Sequence, residues 1–183
     1  MSKIQKLSFE DQELLFSLPY RVGMWISNVD DVESRKLDDK NEKKVLEIFL
    51  ERVSKSGSRM PFSAMIAKKC ISSKGSWVSW EAKSEEKVVF ADLEKSFLVF
   101  KNELSPPELK QFKQLVWQCG ITVAQAYDED ADPDGEMHMN HLFEVLGNML
   151  GGGPKLKKAP ENISAKEKAA LKKLRDLLKQ KVQ

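Results

Sequence analysis

The chain has 183 residues, of which 41% are hydrophobic, enough to build the core of a single domain. Charged residues make up 32% and the net charge is only +2, so the composition does not indicate a nucleic-acid-binding protein. No apolar run approaches the roughly 18 residues of a membrane-spanning helix, and no apolar signal segment follows Met1. We therefore expect a cytoplasmic protein with no membrane span and no nucleic-acid partner.

The sequence carries no recognisable catalytic motif. No GxSxG, HExxH, P-loop or GxGxxG pattern is present. Cys70 and Cys119 lie in different apolar segments without a CxxC motif, which is typical of small core residues in a reducing compartment. An apolar environment disfavours a nucleophilic thiolate. The sequence therefore predicts a protein that is not an enzyme.

Apolar residues recur at helical spacing through the first half of the chain. A serine-capped helix is predicted over 8–18, and Pro19 is expected to end it. A second, buried helix is predicted over 20–29. A third follows from Asp38 or Asp39 to about Val53.

The next segments are also predicted to be helical. One helix opens at Pro61, and a break follows before Trp77 and Trp80, which we expect in the core. The segment 85–103 contains the run KVVF, which could form a strand. We predict a helix because helix formers flank the run and no partner strand is visible.

In the second half, Ser105 should cap a helix that ends near Tyr127, where acidic residues and Pro133 follow. Another helix is predicted over 136–150. We expect 1–150 to form the main all-helical domain, 151–163 a Gly/Pro/Lys linker, and 164–183 an amphipathic helix that packs back on the domain. A membrane surface or a partner protein is the alternative for the leucine face of that helix.

The acidic stretch after 127 matches the first half of an EF-hand loop. Asp130, Asp132 and Asp134 occupy positions one, three and five, and a glycine occupies position six. Position twelve holds His141 instead of the bidentate Glu. A solvated acidic turn and a partner-binding acidic surface are therefore alternatives to a cation site. The candidate ligands are Asp128, Asp130, Asp132 and Asp134, with Asp30 and Asp31 as a weaker second cluster.

Two histidines lie near this stretch. His138 and His141 would share a helix face with Glu144 and could bind Zn²⁺. An H-x-x-H pair alone is more often two surface histidines. Zn²⁺ is therefore a weaker candidate than Ca²⁺ or Mn²⁺.

Two parts of the chain align without gaps, 22–31 with 119–128. In each, a glycine within an apolar helix precedes an acidic helix end by eight residues, and a capped amphipathic helix follows later. Glycine inside a helix costs about 1 kcal/mol relative to alanine, so its presence at both positions predicts close helix packing. The alternative is a chance similarity of two apolar helices. We expect an all-α bundle of about seven to nine helices, and the repeat predicts a pseudo-two-fold axis.

These features resemble the tellurite-resistance TerB-like domain. The resemblance rests on Leu14–Gly23, Asp30, Asp31, Glu42 and Leu46, and in the second copy on Gly120, Asp128, Glu167 and Leu171. It implies an all-helical fold of pseudo-symmetric helix pairs, a bacterial stress or metal-resistance context, and divalent-cation binding by acidic residues at helix ends. A metal-independent interaction module, using the acidic loop or the lysine-rich last helix, is the alternative function.

Overall fold

The computed structural model describes residues 3–30, 36–126 and 163–179, and within these ranges all regular structure is helical. Short 3-10 helices occur at Lys3–Lys6, Asn28–Asp30 and Lys74–Ser76. The predicted all-α bundle is confirmed, since the described part alone contains seven α-helices. They are α1 (Phe9–Ser27), α2 (Lys36–Ser54), α3 (Pro61–Ser72), α4 (Trp77–Glu81), α5 (Glu86–Glu103), α6 (Pro106–Ala124) and α7 (Ala165–Lys179).

Helices α1 and α6 form the centre of the bundle. Among the described helices, this pair makes the most extensive contact. Every residue from Ser17 to Ser27 and from Leu115 to Ala124 is buried. A helix that is apolar on all sides has to be enclosed by other elements. Helices α2, α3, α5 and α7 provide that enclosure.

Pro19 does not end the first helix, and this prediction was wrong. Helix α1 continues through Pro19 to Ser27, so the two predicted helices are one. Proline removes one backbone N–H and strains the preceding turn, but burial of the residues that follow outweighs this local preference. Helix α2 also begins earlier than expected, at Lys36 rather than Asp38.

The aromatic pair and the KVVF run behave as predicted. Trp77 and Trp80 are buried, and the ring of Tyr20 stacks on Trp77 with centroids 4.4 Å apart. The KVVF run lies within α5 and is helical. The hydroxyl of Tyr20 donates a hydrogen bond of 2.6 Å to the Glu81 carboxylate, which joins α1 to α4.

The two central helices have the same length and the same ends. Both contain 19 residues, and both follow a serine whose side chain interacts with an acidic residue three positions later. Both also end at the aligned position, with a C-cap residue whose backbone N–H reaches the fourth carbonyl before it. The caps are Ser8 and Asn28 for α1, and Ser105 and Gln125 for α6. The similarity thus extends along the entire helix, beyond the segment aligned in the sequence.

Each glycine of the aligned segments packs on the amphipathic helix that follows in its half of the chain. A Cβ atom placed on Gly23 would lie 2.6 Å from Leu46 Cδ2 in α2. A Cβ atom on Gly120 would lie 3.2 Å from Leu174 Cδ2 and 3.4 Å from Leu171 Cδ2 in α7. The close packing predicted at both glycines is therefore present.

Candidate cation site at the ends of α1 and α6

Only one of the six predicted cation ligands lies among the described residues. Asp30 ends the 3-10 helix Asn28–Asp30, which continues α1 and lies against α7. The other five lie outside the described residues: Asp31, Asp128, Asp130, Asp132 and Asp134. The proposed zinc ligands His138, His141 and Glu144 also lie outside them.

The described structure does show the helix ends from which the acidic stretches start. The C-terminal parts of α1 and α6 lie close together, because a Cβ atom on Gly120 would be 3.6 Å from Ile26 Cγ1. Helix α1 ends at Ser27, three residues before Asp30, and α6 ends at Ala124, four residues before Asp128. Both acidic stretches therefore follow the carboxyl end of a central helix.

These two ends lack the positive charge found at the other long helices. The carboxyl end of a helix carries a partial negative charge, which a basic side chain in the last turn offsets by about 0.3–1 kcal/mol. Among the six described helices longer than ten residues, only α1 and α6 have no basic residue in the last turn. The other four carry Arg52, Lys69, Lys101 and Lys179.

Within the part of the chain that the structure describes, three buried oxygen atoms at the same ends have no hydrogen-bond partner. They are Ser27 Oγ in the last turn of α1, Thr122 Oγ1 in the last turn of α6, and Oε1 of the α6 cap residue Gln125. An unpaired buried polar group costs about 1–3 kcal/mol, so such atoms are uncommon, and a water molecule or an ion is one way to satisfy them. Sequence reasoning missed these residues, because an uncharged polar side chain in an apolar helix gives only a weak signal.

The donor set fits a hard cation. Carboxylate, hydroxyl and amide oxygens are the ligands that Ca²⁺, Mg²⁺ and Mn²⁺ prefer. Within 3–30, 36–126 and 163–179, no group of three or more His, Cys, Asp or Glu residues is placed to hold a metal ion. A site at these helix ends therefore depends on the acidic residues beyond them.

The last helix presents two different faces. Its leucine side is buried on the body of the protein, and its other side exposes lysines to solvent. Lys113 of α6 donates a hydrogen bond of 2.9 Å to the carbonyl oxygen of Leu178, which ties α7 to the central pair. The exposed lysines are Lys166, Lys168, Lys172, Lys173 and Lys179.

Both cysteines lie in the core, as predicted. Burial raises the pKa of the Cys70 thiol to about 12 and that of Cys119 well above its ordinary value. At neutral pH both therefore remain thiols. Separately, no helix in the described part of the chain is long and apolar enough to cross a membrane.

Comparisons with protein-family models, with curated proteins and with solved structures find no match to this chain. The resemblance to the TerB-like domain therefore stays a prediction.

Proposed function

We propose that the chain is a non-catalytic, TerB-like helical module that binds a divalent cation in a bacterial stress or metal-resistance context. The site comprises the acidic residues that follow α1 and α6, and Ca²⁺ or Mn²⁺ is favoured over Zn²⁺. The observation that carries the proposal is the absence of a basic residue in the last turn of both central helices. The carboxyl ends of both helices carry a partial negative charge, and in the sequence they are followed by acidic residues. A bound cation stabilises such a concentration of negative charge.

The binding should act by ordering the connections that follow α1 and α6. Carboxylates brought together without a cation repel one another, so bringing the ligands together is unfavourable while no cation is bound. A cation removes this repulsion and adds its binding free energy to folding. The unpartnered oxygens of Ser27, Thr122 and Gln125 are candidate additional ligands.

The test is a thermal melt of the full chain after chelator treatment, repeated with millimolar Ca²⁺, Mg²⁺, Mn²⁺ or Zn²⁺. A ligand at about 100 times its dissociation constant adds roughly 2.7 kcal/mol, which raises the melting temperature of a domain of this size by several degrees. We expect a selective rise with Ca²⁺ or Mn²⁺. The variant Asp130→Asn with Asp132→Asn should lose that rise.

A matched control removes the same charge elsewhere. Glu85 and Glu94 are exposed in or beside α5, and Glu85→Gln with Glu94→Gln should keep the full cation response. A flat response of the wild-type chain to all four ions would overturn the proposal.

A metal-independent interaction module is the second candidate, and the exposed lysine face of α7 favours it. Its partner would be a protein with an acidic surface. In that case none of the four ions should raise the melting temperature of the wild-type chain, and Asp130→Asn with Asp132→Asn should only raise it in the absence of ions, because it relieves like-charge repulsion. The two candidates thus give different results in the same melts.

A further inference from the structure

A cleft of about 150 Å³ lies between α1 and the middle of α5, and none of its lining residues belongs to the proposed cation site. Ser17 and Arg21 of α1 line it together with Trp80. Both α1 residues are almost completely buried, with exposed fractions of 1% and 2%. A polar side chain this deeply buried normally has all its hydrogen-bonding groups satisfied by the protein.

The guanidinium of Arg21 is held on one side only. Its Nε and Nη2 donate hydrogen bonds of 3.2 and 2.7 Å to the carbonyl oxygen of Lys83. Nη2 also lies 2.7 Å from Asp92 Oδ2. Arginine has five N–H donors in a rigid plane. Among the hydrogen bonds between described residues, none uses Nη1 of Arg21. The two N–H groups of Nη1 are therefore available to a ligand, while Nε and Nη2 hold the guanidinium in place.

Ser17 lies one helical turn before Arg21, so both side chains are on the same face of α1. A buried helical serine usually donates to a carbonyl in the preceding turn, as Ser96 does to Leu93 at 2.8 Å. Among the described residues, no such bond is present for the hydroxyl of Ser17. The inner part of the cleft therefore offers two donors from adjacent turns, which suits a planar carboxylate.

The mouth of the cleft carries balanced charge. Lys83 Nζ lies 3.8 Å from Glu13 Oε1, and Lys95 Nζ lies 3.6 Å from Glu10 Oε2. These pairs are exposed, and such pairs are weak enough to rearrange around a ligand. With Arg21 and Asp92, the lining contains three cationic and three anionic groups. A bare anion would leave an excess of negative charge here, whereas a zwitterion would not.

We propose that this cleft binds a small zwitterion of the α-amino-acid type, with its carboxylate on Arg21 and Ser17 and its ammonium at Glu13 and Glu10. The cleft is small, at about 150 Å³, so a small zwitterion such as glycine suits it. Larger ligands need pockets of about 300 Å³ or more. The site shares no residue with the proposed cation site, so either proposal can fail without the other.

The test is a titration of the chelator-treated full chain with glycine, followed by backbone and indole N–H resonances. Concentrations should reach about 30 mM, because a ligand with so few atoms is expected to bind in the millimolar range. We expect saturable shifts confined to the cleft, including the indole of Trp80. Acetate and methylammonium, which each carry one of the two charged groups, should bind more weakly than glycine.

Two variants assign the two ends of the ligand. Ser17→Ala should weaken glycine binding about tenfold, since it removes a hydrogen bond to a charged group. Ser96→Ala is the matched control, because Ser96 is also a buried helical serine but lies outside the cleft, and it should bind glycine normally. Glu13→Gln should weaken glycine binding, because it removes a partner of the ammonium group, but should not weaken acetate, because it removes a negative charge beside a bound anion. The proposal is overturned by unsaturable glycine shifts, by equal binding of acetate and glycine, or by equal behaviour of the two serine variants.

Discussion

Gly23 lies so close to Leu46 that a Cβ atom on the glycine would be 2.6 Å from Cδ2 of the leucine. Cδ1 and Cγ of Leu46 would also lie within 3.3 Å, and Leu46 is fully buried. Glycine is therefore required for α1 and α2 to approach this closely. At Gly120 the nearest contact is 3.2 Å, so a methyl group there needs a smaller adjustment.

This difference predicts unequal effects of the same substitution. Gly23→Ala should destabilise the protein by up to about 2 kcal/mol, because overpacking costs about 1–3 kcal/mol and the gain in helix propensity returns about 1 kcal/mol. Gly120→Ala should be close to neutral. Urea unfolding measures both, and Gly75→Ala is the control because its Cβ would meet nothing within 4 Å.

Packing at this contact can be separated from backbone effects by a second substitution. Leu46→Val removes side-chain volume beside Gly23. The loss of unfolding free energy in the double variant Gly23→Ala with Leu46→Val should be smaller than the sum of the losses in the two single variants, since residues in contact are coupled. Strict additivity would contradict the steric explanation.

The ion pair of Arg21 and Asp92 predicts a large cost for removing the arginine. Arg21→Met leaves Asp92 without its partner and the Lys83 carbonyl without its donors, so we expect a loss of about 3 kcal/mol in urea unfolding. Asp92 is 27% exposed, which keeps the loss near the lower end of the range for buried pairs. Lys95→Ala breaks only an exposed pair with Glu10 and should cost less than about 0.5 kcal/mol.

Tyr20 predicts a loss of stability at alkaline pH. Burial, followed by its hydrogen bond to Glu81, raises the Tyr20 pKa above its ordinary value of 10.0. The stabilisation is therefore complete below about pH 10 and is lost as the pH rises above that value. Tyr20→Phe should cost about 1.5–3 kcal/mol at neutral pH, since the bond is to a charged group.

The same variant isolates this contribution. The unfolding free energy of Tyr20→Phe should decline less steeply than that of wild type between about pH 9 and pH 11. Lysines, cysteines and Tyr127 are common to both proteins and cancel in the comparison. Parallel curves would show that the tyrosine does not hold a raised pKa in the folded state.

The two cysteines should react only when the protein unfolds. Both are fully buried and their thiol pKa values are raised, so a disulfide reagent at neutral pH should label neither residue in the native protein. In denaturant two thiols per chain should react at once. Because labelling requires opening of the core, Gly23→Ala should accelerate it in native buffer, and Gly75→Ala should not.

The parts of the fold that sequence predicted well depend on local chemistry. Ser105 caps α6 as predicted, with its backbone N–H donating to Glu108, and Ser164 caps α7 in the same way, with its backbone N–H donating a 3.0 Å hydrogen bond to Glu167. Such caps join residues three apart, so the spacing alone identifies them. The helix that contains Val88 and Val89, and the burial of Trp77 and Trp80, were predicted from the spacing of apolar residues, which is also a local property of the sequence.

The failures involve residues whose behaviour is decided by distant parts of the chain. Pro19 stays within a helix because α5 and α6 enclose α1, and nothing beside it in sequence shows this. Arg21 stands out in the sequence as one charge within an apolar run. Its partners, the carbonyl of Lys83 and the carboxylate of Asp92, are more than sixty positions away. The candidate cation site was predicted from spacing, and the helix ends that support it became visible only in the fold.

The contact between α1 and α6 also determines when the protein can fold during its synthesis. Helix α1 ends at Ser27, but its main partner is complete only at Ala124, about 100 residues later. At translation rates of about 5–20 residues per second, α1 is without that partner for roughly 5–20 s after its own synthesis. The nascent chain therefore presents the face of α1 that α6 covers to the ribosome surface and to chaperones until α6 is complete, and slower translation over α2 to α5 lengthens this exposure.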